Sequence, residues 1–93
     1  MKTAQEFYNF YSAIPEQAWC TGVYTNEKGQ HCAIGHLGNA HCASAINLRK
    51  LLPSQVAYIN DRIHPDFKQA TPKQRILAAL KKVISGKKVR TDW

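Results

Sequence analysis

Trp19 to Cys42, WCTGVYTNEKGQHCAIGHLGNAHC, is the stretch on which the fold turns: its 24 residues hold all three cysteines, three of the four histidines and four of the five glycines. Residues 19–25 and 30–34 alternate around Asn26-Glu27-Lys28-Gly29, whose glycine can take the left-handed conformation of a tight hairpin turn. Pairing Thr25 with Gln30 puts Trp19, Thr21, Val23, Cys32 and Ile34 on one face, read as core, and Cys20, Gly22, Tyr24, His31, Ala33 and Gly35 on the other. In that register Cys20 and Cys32 point apart. A one-residue slip still leaves them two pairs away, beyond the roughly 5.5–6 Å Cα separation of a disulfide. The cysteines are therefore read as thiols, as a reducing compartment would keep them.

Working outward, Thr3 and Glu6 have the spacing of a capping box. Phe7, Phe10, Tyr11 and Ile14 then recur at helical spacing until Pro15, which predicts a helix from Ala4 to Ala13 with an aromatic core face. After the hairpin, Asn39 is placed to cap a helix over Ala40 to Leu52, ended by Pro53. Ala43, Ile46 and Leu51 face inward on it. A short turn through Val56 and Ile59 leads to an irregular connection, Asn60 to Ala70, in which His64 reads as an exposed loop residue. Thr71 as cap, Pro72 at the first helical position and Gln74 completing a capping box start the last helix. Its apolar stripe is Ile76, Leu77, Leu80, Val83 and Ile84, and Gly86 is its stop.

The expected fold is α+β: a two-stranded antiparallel hairpin packed against three main helices, in the order α-β-β-α-α. A chain of 93 residues supports one core, so residues 1–86 form a single compact domain and 87–93 a basic C-terminal tail. The hairpin needs helical cover to be stable.

Thirteen Lys and Arg against six Asp and Glu give a net charge of +7. No acidic residue occurs from Phe67 to Thr91, where Lys73, Arg75, Lys81, Lys82, Lys87, Lys88 and Arg90 form the candidate binding set. These charges wrap the solvent side of the last helix, which suits a broad contact with an anionic partner better than base reading. The plainer account is a lysine-rich surface that keeps a small domain soluble. No apolar run approaches the roughly 18 residues of a membrane span, so the expected location is cytoplasmic.

Cys32, His36, His41 and Cys42 are the residues to test as zinc ligands. Their spacing is poor: there is no C-x-x-C knuckle, and His41 and Cys42 diverge by about 100° on a helix. Cys32 and His36 are also the one plausible pair for thiol catalysis, but no orienting carboxylate or oxyanion donor can be placed beside them. No catalytic residue and no cofactor is assigned, and the chain is read as a non-enzyme. Asn60-Asp61 is weighed as a surface recognition site against local capping of the backbone, and the local account is preferred.

Trp19-x-x-Gly22-x-Tyr24, Gly29-x-x-Cys32-Ala33-x-Gly35, Ile59-Asn60-Asp61 and Arg75-Ile76-Leu77-x-Ala79-Leu80 follow one another in an order that resembles a family of small uncharacterised bacterial and phage proteins, over about residues 18–84. The resemblance implies a hairpin-plus-helices architecture and a phage or bacterial origin, and no catalytic residue. Together with size and charge it gives the expected function. The chain would be a non-enzymatic phage-type accessory protein that binds and inhibits a host macromolecular complex through its basic C-terminal surface, in concrete form an anti-CRISPR-type anti-defence inhibitor. The expected partner is a host protein or ribonucleoprotein complex with an acidic surface. The alternatives are a sequence-independent nucleic-acid-binding protein and a small zinc-binding or thiol-dependent protein.

Overall fold

The computed structural model describes all 93 residues. It contains four α-helices and no β-strand: α1 (Ala4–Ser12), α2 (Ala43–Leu51), α3 (Val56–Asn60) and α4 (Pro72–Ile84), with 3₁₀ turns at Glu16–Ala18 and Gly35–Leu37. The fold is helical, so the expected α+β hairpin architecture is wrong.

Burial and backbone geometry explain the error. Strand alternation would send Ala33 outward between Cys32 and Ile34, yet all three are buried, and Val23 on the predicted core face is exposed. Gly22 takes φ +81, which turns the chain out of extended conformation three residues after Trp19. What remains are two isolated bridges that share one residue, Trp19 with His31 in parallel sense and Thr25 with His31 in antiparallel sense. His31 N–H donates to Ala18 O and Cys20 N–H to His31 O, both at 3.0 Å, while Cys32 N–H donates to Tyr24 O at 3.1 Å. The segment is a series of turns gathered around His31. Asn26 pins the expected turn at its tip, its Oδ1 accepting from Lys28 N–H and Gln30 N–H at 3.0 Å each.

The helix starts follow local chemistry. Thr3 and Glu6 make the reciprocal capping box of α1. Thr71 Oγ1 accepts from Gln74 N–H at the head of α4, with Pro72 in the first turn, but Gln74 does not return the bond. The second long helix begins later than expected. Gly38 has φ +92 and Asn39 Oδ1 accepts from His41 N–H, so residues 38–42 turn and Cys42 becomes the cap of α2, its Sγ accepting from Ala45 N–H at 3.4 Å.

The core sits where α1 packs against α4, with α3 also against α4 and α2 beside α1. Phe7 and Tyr11 of α1, Leu48 and Leu52 around the end of α2, Ile59 of α3 and Ile76 and Leu80 of α4 are wholly buried. Tyr11 also donates its hydroxyl to Ala33 O at 2.6 Å, tying α1 to the looped segment. On α4 the buried stripe is Arg75, Ile76, Ala79 and Leu80, one position toward the N-terminus of the expected one, and Ile84 is exposed.

Residues 87–93 pack back as a strap. Val89 is buried, Arg90 forms a two-pronged pair with Asp66 at 2.7 and 2.8 Å, and Trp93 Nε1 donates to Gln55 Oε1 at 2.8 Å. Beneath it lies His64, fully buried rather than exposed. Asp66 N–H donates to its Nδ1, which makes Nε2 the protonated nitrogen, and that N–H reaches Arg90 O at 2.8 Å.

Candidate functional site

Asn60-Asp61, at the end of α3, organises the region that a hairpin would have occupied. Asn60 is almost wholly buried. Its Oδ1 accepts from Ala33 N–H at 3.0 Å, and its Nδ2 donates to Cys20 O at 3.0 Å and to Asp61 Oδ1 at 2.9 Å. The same Asp61 oxygen accepts from Gly22 N–H at 3.1 Å. The two side chains thus staple loop to helix across 27 to 40 residues of sequence, rather than capping their own backbone as expected. Backbone groups that strand pairing would satisfy are satisfied by side chains instead.

Arg75 completes the arrangement from α4. It is buried, and its guanidinium donates to Ile59 O, to Asn60 O through both Nε and Nη2, and to Gln69 O. Burial and the nearby Arg62 charge lower its pKa. Arg75 therefore belongs to the interior and not to the expected binding surface, because its fork is committed to carbonyls left over at the end of α3. Packing decides this: Arg75 stands one turn before Ala79, on the face of α4 that the core claims.

The other six candidate cations divide in two. Lys73 Nζ donates to Ser12 O at 3.0 Å and Arg90 is engaged by Asp66, the chain's one ion pair. That contact raises the Arg90 pKa and holds the Asp66 carboxyl below its ordinary value. Lys81, Lys82, Lys87 and Lys88 make no ion pair. They gather where α4 ends: Gly86, at φ +86, turns the chain, and Lys87 N–H donates to Lys82 O at 3.1 Å. Lys82 Nζ also lies 5.8 Å from the Phe67 ring centroid. The basic edge is these four lysines.

Between the 22–25 turn, residues 32–34 and α3 lies an open cleft of about 650 Å³, with Asn60 and Asp61 in its lining.

The cysteines and histidines do not come together as a metal centre. No three His, Cys, Asp or Glu side chains form a group able to hold a metal ion. Cys32 Sγ accepts from Gly35 N–H, Cys42 Sγ caps α2 and His41 is exposed. All three cysteines are free thiols, and burial, then the neighbouring Cys32 and Asp61, push the Cys20 pKa up. His36 packs edge-on against Trp19 with ring centroids 4.7 Å apart, and lies 5.1 Å from His31. Burial, with the His31 ring adding to it, lowers the His36 pKa to about 4, so it is a neutral imidazole.

Comparison of the chain with protein-family models, with curated proteins and with solved structures finds no match. The functional reading rests on the chain's own geometry.

Proposed function

We propose that this chain is a non-enzymatic binding protein that attaches to an anionic face of a larger host assembly through Lys81, Lys82, Lys87 and Lys88, and acts by covering that face. The observation that carries the reading is the grouping of these four unpaired lysines at one end of α4, in a chain whose other cations there are held by internal partners. Clustered exposed charge speeds encounter with an oppositely charged surface and sets its orientation. Cys32 Sγ is engaged by Gly35 N–H and the residue is buried, which fits a structural thiol. A phage-type inhibitor of a host defence complex is the form of this reading that the sequence resemblance suggests.

The test is capture from bacterial lysate with tagged protein, with and without nuclease. A defined protein or ribonucleoprotein assembly that survives nuclease is expected. Recovery of nucleic acid alone, lost on nuclease treatment, would make the chain a direct nucleic-acid binder instead, with the steep salt dependence of counterion release.

A further inference from the structure

The basic edge makes no use of the stapled cleft, although Gly22, Tyr24, Cys32, Asn60 and Asp61 all stand in its lining. Its volume of about 650 Å³ falls within the range of small-molecule sites. Val56, Ala57 and Ala33 give it apolar walls, and Val23 and Tyr24 are 52% and 57% exposed. Most polar groups there are already engaged. Asn60 has used its oxygen and both amide hydrogens, and Thr25 Oγ1 lies 2.7 Å from His31 Nδ1. Asp61 is different: Oδ1 accepts from Gly22 and Asn60, while Oδ2 has no hydrogen-bond partner within the chain. It is also the only charged residue in the lining.

Such a lining repels anions, and a wholly neutral apolar occupant would cover a carboxylate without compensating it. A cation with an apolar body satisfies both parts, and Tyr24 in the lining is an aromatic residue of the kind cations favour. We propose that the cleft binds a small organic ammonium ion, its charge on Asp61 and its apolar body against Val23 and Ala57. The site is separate from the basic edge and does not depend on it.

The experiment is an amide chemical-shift titration of the full chain with phenethylammonium and, in parallel, with its neutral near-isostere 2-phenylethanol. Saturable shifts at residues 22–25 and 57–61 are expected, with a dissociation constant on the order of millimolar for so small a probe. Binding should weaken about tenfold for 2-phenylethanol, and about tenfold for phenethylammonium in Asp61→Asn, which keeps an oxygen for Gly22 N–H while losing the charge. Ala57→Trp, at an exposed position of α3, should block the cleft and abolish the shifts, and it decides the matter if Asp61→Asn does not fold. Equal binding of the neutral probe, no saturable shift in the native chain, or unchanged binding in a folded Asp61→Asn or Ala57→Trp variant would overturn the proposal. So would tighter binding of a blocked lysine tripeptide than of phenethylammonium, which would assign the cleft to a docking segment.

Discussion

Asn60 commits its side-chain oxygen and both amide hydrogens in the interior, and its replacement therefore exposes what it satisfies. Asn60→Leu leaves Ala33 N–H and Cys20 O without partners, and a loss of about 2–4 kcal/mol in urea unfolding is expected. Arg75→Lys keeps a charge but loses the planar fork that reaches three carbonyls, with an expected loss of about 2–3 kcal/mol by the same measurement. Gly35 has no room for a side chain, since a Cβ would overlap the Tyr24 carbonyl oxygen. His36 gives a pH signature. Its folded pKa of about 4 lies below the ordinary 6.5, so the unfolded chain binds more protons between those values. Stability from this residue is complete above about pH 6.5, declines as pH falls, and levels off below about pH 4. Asp66, held low by Arg90, adds its own loss only from the ordinary carboxylate range downward. Denaturant midpoints measured across this range should fall in the native chain and flatten in His36→Phe; an unchanged slope would remove His36 as the cause.

Helices α1 and α4 were legible in the sequence because their caps and apolar periods are local signals. Thr3, Glu6, Thr71 and Pro72 act within one turn of themselves. The Trp19–Cys42 segment was not legible, because the partners that shape it come from α3. Alternation along residues 19–34 is real, but Gly22 turns toward Asp61 and Ala33 toward Asn60, and neither partner can be inferred from spacing. The candidate site divides in the same way. Lys81, Lys82, Lys87 and Lys88 could be read from charge alone, whereas the burial of Arg75 and His64 depends on tertiary packing. The strap is the element most open to a direct test. Val89→Ser removes its buried anchor, and a loss of about 1–2 kcal/mol with faster hydrogen exchange across residues 87–93 is expected. Arg90→Ala, at an exposed ion pair, should have the smaller effect.

At the scale of the molecule, a net charge of +7 is carried partly by residues that hold the structure together and partly by residues that do not. Arg75, Lys73 and Arg90 have internal partners, so substituting them acts on the fold first, most strongly at buried Arg75. The four lysines at the end of α4 have no ion-pair partner, so their charge can be removed at the cost only of the Lys82 contact with the Phe67 ring. Attachment through such exposed charge should weaken as salt rises, since charges more than about 10 Å apart are largely screened at 0.1 M. The decisive measurement is nuclease-treated capture by the native chain beside a variant carrying Lys81→Ala, Lys82→Ala, Lys87→Ala and Lys88→Ala, each checked for the same unfolding midpoint. Loss of the captured assembly in the variant, at unchanged stability, is the expected result; full retention by a folded variant would contradict the assignment of binding to this edge.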